Sequence, residues 1–287
     1  MTTPSLARWL AGCVAGLLMA VSHAAPAPAA IASAPTSITT PTALASPAPA
    51  TPPATPPAAS AAAPVSSYAV VVGDSIAEGE PELKGRLNYY GQFKADLPSS
   101  PGQLSYELAS RFGVFHFNHG MGGQTSTQVR TRWPRDVLAQ QFEVGDGRPA
   151  RTLPAGTLPV TVFLHVGIND LIHGLSLAQM QANFDYFAQS TAQARIPLIV
   201  DNVGAYLGMT PELARQADAF NLWLREDLAR RHANVTVIDY LDWSSGGTGD
   251  YLKLAPGKFA DGVHPSRAGY VDLADFVQRS LSPARGR

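Results

Sequence analysis

Five short, continuous apolar runs mark this 287-residue chain, at Tyr68 to Val72, Val114 to Asn118, Val160 to Val166, Pro197 to Asn202 and Val235 to Asp239. A strand with one wet face alternates apolar and polar residues, so uninterrupted runs belong to strands covered on both faces. Between the runs lie helical patterns at about Gln103 to Arg111, Ser126 to Gln140, Leu177 to Ala194, Pro211 to His232 and Ser266 to Leu281. In the fourth, Leu213, Ala217, Phe220, Leu224 and Leu228 recur at three- and four-residue steps and form one apolar face, which reads as core. Thr210 before Pro211 is a capped helix start, with proline tolerated in the first turn. Strand–helix alternation of this kind points to a parallel sheet between two helical layers. The expected fold is a three-layer α/β/α sandwich, a flavodoxin-like five-stranded parallel sheet.

The chain ahead of the first strand does not fit that pattern. Residues 1–24 have the build of a secretory signal: one cationic residue, Arg8, an apolar stretch from Trp9 to Val21, and Ser22-His23-Ala24 as a small-x-small cleavage site. The stretch is shorter than the ~20 residues of a membrane span, so export without stable membrane insertion is expected. Leu10-Ala11-Gly12-Cys13 resembles a lipoprotein cleavage box, but the apolar stretch lies mostly after Cys13, and this spacing argues against a lipid anchor there. Residues 25–66 are almost entirely Ala, Pro, Thr and Ser without a charge, a composition that gives an extended linker. The folded domain is expected at 67–287. Cys13 is the only cysteine, so the processed chain holds its fold without disulfides. A formal net charge of −1 gives no electrostatic case for nucleic-acid binding.

Sites in doubly wound sheets form beyond the carboxyl ends of the strands, and three polar motifs fall there. Gly73-Asp74-Ser75 follows the first strand, Gly122 to Ser126 the second, and Gly167-Ile168-Asn169-Asp170 the third. Ser75 after a strand end reads either as a helix cap or as an exposed nucleophile. Asn169 reads either as a cap or as an amide donor to an oxyanion, joined by the backbone N–H groups of Ser75 and Gly123. Asp261 and His264, three residues apart before the last helix, read either as a solvated turn or as a carboxylate that fixes the histidine tautomer.

The ordered set resembles the SGNH (GDSL) hydrolase family. Gly73-Asp74-Ser75-Ile76-Ala77-Glu78-Gly79 is similar to its first block, Gly123 to the glycine of its second, Gly167-Ile168-Asn169-Asp170 to its third and Asp261-Gly262-Val263-His264-Pro265 to its fifth. The layout looks closest to lysophospholipase and thioesterase-like members, and the resemblance spans Tyr68 to Leu281. It implies carboxylic-ester hydrolysis with Ser75, Asp261 and His264 as the triad and Ser75, Gly123 and Asn169 as oxyanion donors. No metal or cofactor is implied. With an export signal, the expected substrate is an acylated or acetylated polysaccharide or a lipid of the periplasm, envelope or medium. Two alternatives share the fold: transfer of the acyl group to a sugar hydroxyl, and a non-catalytic glycan-binding module.

Two loops, Glu80 to Pro101 and Phe142 to Leu158, are expected to overhang the rim. Asp74, Tyr89, Tyr90 and Phe93 are the candidate substrate contacts. His116 and His119, flanked by Phe115 and Phe117, read as strand residues rather than metal ligands. Arg130, Arg132 and Trp133 read as an exposed helix face.

Overall fold

The computed structural model describes residues 67–81, 88–89, 92–93, 101–139 and 157–282. The proposed leader and linker lie outside the described residues, as does most of both rim loops. Strand β1 (Tyr68–Gly73) is buried along its whole length. It pairs in parallel with β4 (Phe115–Gly120) on one side and β5 (Val162–His165) on the other. Beyond β5 come β6 (Leu198–Asp201) and β7 (Val235–Ile238), also parallel, giving the order β4-β1-β5-β6-β7. This is the doubly wound arrangement expected from the apolar runs, with the reversal of strand order at β1. A short antiparallel pair, β2 (Asn88–Tyr89) and β3 (Gln92–Phe93), lies within the first rim loop.

Successive β1 side chains go to opposite faces, so the strand feeds two cores. Val70 and Val72 join a cluster with Trp133, Phe184, Phe187 and Phe220, from helices α3 (Ser126–Trp133), α5 (Leu177–Gln193) and α6 (Pro211–Trp223). Val71 joins Leu104, Leu108, Tyr270, Leu273 and Val277, from α2 (Leu104–Phe112) and α9 (Arg267–Leu281). Each face thus carries its own helical layer. Thr210 caps α6 by accepting the Leu213 N–H, and Ser266 caps α9 by accepting that of Gly269.

Two long helical patterns depart from the expectation of single α-helices. The one beginning at Ser126 changes to π geometry over Pro134–Ala139, because Pro134 has no N–H to continue the α ladder. The one beginning at Pro211 passes through a π turn at Leu224–Leu228 into α7 (Ala229–Arg231), while Leu224 and Leu228 stay fully buried. Helices α1 (Ser75–Glu78), α4 (Ile168–Ile172) and α8 (Tyr240–Ser245) are additions that the sequence pattern did not show. No helix among the described residues is long and apolar enough to cross a membrane.

Candidate active site

The site is built at the carboxyl end of β1. There Gly73 passes so close to β5 that a Cβ on it would lie 1.8 Å from the His165 carbonyl oxygen, which excludes any side chain. The Asp74 N–H then donates to that same carbonyl at 3.1 Å, and α1 begins at once. Its cap is Asp74, whose Oδ1 accepts the Ile76 N–H at 3.0 Å. The neighbouring residue therefore does the capping, and the Ser75 hydroxyl meets His264 instead. Asp74 is fully buried, which corrects its place among the candidate substrate contacts: it holds the turn from behind. Burial pushes its carboxyl pKa up, against the nearby His165, the Ile76 N–H and His264.

His264 reaches the same point from the loop before α9. Asp261 Oδ1 accepts the N–H groups of Val263 and His264 at 2.9 and 2.8 Å, and its Oδ2 lies 2.7 Å from His264 Nδ1. One carboxylate thus fixes both the turn and the ring. With Nδ1–H donating to Asp261, Nε2 is the acceptor that faces the Ser75 hydroxyl, at 2.9 Å. Burial works against the Asp261 carboxylate, but the bonds from the His264 backbone and ring and from the Val263 N–H outweigh it and hold its pKa below the usual value.

Gly123 and Asn169 stand on the other side of Ser75. Gly123 adopts φ +74° in the turn after β4, and the space beside its α-carbon is open. Among the described residues, its N–H and that of Ser75 have no protein acceptor. Asn169 is the second residue of α4, whose cap is Gly167, so its amide is not used in capping. Its Nδ2 donates to the Gln124 carbonyl at 3.1 Å and lies 3.5 Å from Asp74 Oδ2, which places the amide between the first two motifs.

Three supporting residues were not legible as such in the sequence. Arg132 and its neighbour Trp133 are buried, which corrects the expectation of an exposed face. The guanidinium donates to the Gly73 carbonyl at 2.8 Å and to Gln124 Oε1 at 2.7 Å, and pairs with Asp136 at 2.7 Å. It therefore ties the strand before Ser75 to the turn that carries Gly123. Asp170 is buried and accepts the Ser126 N–H at 2.9 Å as well as the Ser126 hydroxyl, joining α4 to α3. Burial raises its pKa to about 6 in spite of those bonds. Glu80 lies with its Oε2 3.8 Å from His264 Nε2. Its only sequence signal was proximity to Ser75.

Beneath the rim, His165 Nδ1 lies 2.6 Å from Asp201 Oδ2, and the ring packs edge-on against Tyr240. Burial opposes the imidazolium, but Asp201 and then Asp74 raise the His165 pKa overall. Of the remaining candidate contacts, Tyr90 lies outside the described residues. Tyr89 and Phe93 are described only as backbone in the β2–β3 pair.

The sequence matches the model of the GDSL-like lipase/acylhydrolase family over residues 71–271. Comparison with curated proteins gives no match. Among solved structures, similarity extends to a protein assigned to the lipolytic G-D-S-L family from Desulfitobacterium hafniense DCB-2, with TM-score 0.55 and 19% identity over 75% of this chain and 99% of that one. It extends also to TesA, with TM-score 0.52 and 20% identity over 75% of this chain and 98% of that one. A variant of an acetyl-xylooligosaccharide esterase from Geobacillus Stearmophilus gives 0.53 and 19% identity over 77% and 97%. These likenesses are likenesses of fold.

Proposed function

The chain belongs to the GDSL-like lipase/acylhydrolase family and is a carboxylic-ester hydrolase; from that premise we propose that it is an exported serine esterase acting on an acylated glycan or lipid through a covalent acyl-enzyme. Ser75 is the nucleophile, His264 the general base and Asp261 the residue that orients it. The observation that carries this reading is the continuous line Ser75 Oγ–His264 Nε2 at 2.9 Å and His264 Nδ1–Asp261 Oδ2 at 2.7 Å.

In the proposed reaction, Ser75 Oγ bonds to the ester carbonyl carbon as its proton passes to His264 Nε2. Negative charge moves to the carbonyl oxygen, where the N–H groups of Ser75 and Gly123 and the Asn169 amide receive it. Collapse breaks the bond to the leaving oxygen, which takes the proton from Nε2 and departs as the alcohol. A water then repeats the sequence: it gives its proton to Nε2, attacks the acyl carbon and releases the acid, and Ser75 recovers its proton. Asp261 stays ionised throughout and stabilises the imidazolium.

The test is covalent. Ser75→Ala should keep the fold, because the hydroxyl sits at a strand end outside both cores. It should lose fluorophosphonate labelling and at least ~10³ in turnover of p-nitrophenyl acetate. Labelling of folded Ser75→Ala protein would reassign the nucleophile. Product analysis with an added sugar acceptor separates hydrolysis from transfer.

A further inference from the structure

Glu80 is a second carboxylate at the histidine that handles the proton. It approaches from the Nε2 side, at 3.8 Å, opposite the ring nitrogen that Asp261 holds. Its backbone is pinned on both sides: the N–H donates to the Ser75 carbonyl at 3.0 Å, and the carbonyl accepts the Tyr270 hydroxyl at 2.8 Å. The residue is only 6% exposed, so the carboxylate has a fixed place rather than a range of surface positions. Its other oxygen borders Gly122, where a Cβ would come within 2.4 Å of Oε1. Glu80 therefore fills the wall between His264 and the turn that carries Gly123.

The chemistry of the reaction decides which part of an ester meets this wall. His264 Nε2 must deliver its proton to the leaving oxygen, so that oxygen lies within hydrogen-bond reach of Nε2. The alcohol half of the ester then passes beside Glu80. A carboxylate accepts hydrogen bonds and donates none, so it favours an alcohol with a donor next to the ester.

We propose that Glu80 is the specificity-determining residue for the alcohol, selecting a neutral polyhydroxy alcohol such as a partly acylated sugar, whose hydroxyl beside the ester donates to the Glu80 carboxylate. This inference rests on the esterase reading and names the alcohol within it as one with a free hydroxyl beside the ester.

The experiment pairs two substrates with two proteins. One substrate is a mono-acetylated methyl xyloside with a free hydroxyl next to the ester, and the other is the same ester with that hydroxyl O-methylated. Wild-type protein should favour the first by about ten-fold or more in kcat/KM, the worth of one hydrogen bond to a charged acceptor. In Glu80→Ala the preference should shrink to about two-fold, and Glu80→Gln, which keeps a neutral acceptor, should fall between. Equal preference in wild type and Glu80→Ala overturns the proposal, as does a wild type that cleaves p-nitrophenyl acetate but does not distinguish the two sugars. Should Glu80→Ala fail to fold, Glu80→Gln and the wild-type preference decide the question. A wild type without any p-nitrophenyl acetate turnover is a different result, and it removes the esterase reading itself.

Discussion

Arg132 Nη2 donates to the carbonyl oxygen of Gly73 at 2.8 Å, across 59 residues of sequence, and so fixes the strand end that presents Ser75. The same guanidinium holds Gln124, whose carbonyl accepts the Asn169 amide. A planar fork with donors in fixed directions can span these acceptors and Asp136 together, whereas an ammonium concentrates its donors at one point. Arg132→Lys is therefore expected to lower kcat by about 10–10²-fold, since a small displacement of reacting groups has that effect, with a smaller change in KM. It should also lower stability by about 1–3 kcal/mol, from buried acceptors left without their donor. Steady-state kinetics and urea melts of the same sample check both. A folded variant with unchanged kcat would show that the nucleophile turn needs no such tie.

In the proposed reaction the Asn169 amide receives the charge that develops on the carbonyl oxygen, and it gains most once that charge has formed. Asn169→Ala should lower kcat by about 10²–10³ with little effect on KM. A change confined to KM would assign the amide to ground-state substrate binding.

Sequence legibility followed the range of the interactions involved. β1 could be read because it is buried on both faces, which leaves a run with no polar interruption. The Asp261–His264 pair could be read because its partners are three residues apart and share a turn. Arg132 could not. It sits among polar residues of α3, and its acceptor belongs to a strand 59 residues away, so nothing local distinguishes it from a solvated arginine. Glu80 was hidden in the same way, since its approach to His264 exists only once the chain has closed on itself. The short helices α1, α4 and α8 have too few turns to show a period, and the π turn after Trp133 was signalled only by Pro134.

Asp261 supplies two backbone acceptor bonds as well as the ring contact, so its replacement separates orientation from turn geometry. Asp261→Asn keeps an oxygen for the Val263 and His264 N–H groups and should fold. If the amide nitrogen takes the position facing the ring, it donates to Nδ1 and forces the proton onto Nε2, where it blocks acceptance from Ser75. A fall in kcat of about 10²–10⁴ is expected, near the scale seen when a triad carboxylate becomes an amide. Asp261→Ala should add a loss of stability from the unpaired turn. Equal thermal melts for the two variants would show that the turn does not depend on the side-chain acceptor oxygen.

His116 and His119 make folding itself sensitive to pH. Both are buried on β4, and burial pushes each imidazole from 6.5 down to about 4. As pH falls through about 6.5 the unfolded chain takes up two protons that the folded chain refuses until about 4. The unfolded state is therefore favoured progressively across that window, by about 1.4 kcal/mol per pH unit for each group. Around His119 the Asp136 carboxylate raises the value slightly, while Arg132 and Arg135 lower it. Asp170 acts with the opposite sign: its folded carboxyl binds a proton near 6 and its unfolded one near 3.8, which stabilises the fold as pH falls between them. Raw stability against pH mixes these contributions, so the informative quantity is the difference between a variant and its parent. In His119→Gln, the fall in unfolding free energy from pH 6 to pH 5, measured by urea denaturation, should be smaller than in the parent by about 1.2 kcal/mol. Parallel pH dependence in the two proteins would mean that the folded His119 takes its proton as readily as an unfolded one, and that the end of β4 beneath Arg132 is open to water.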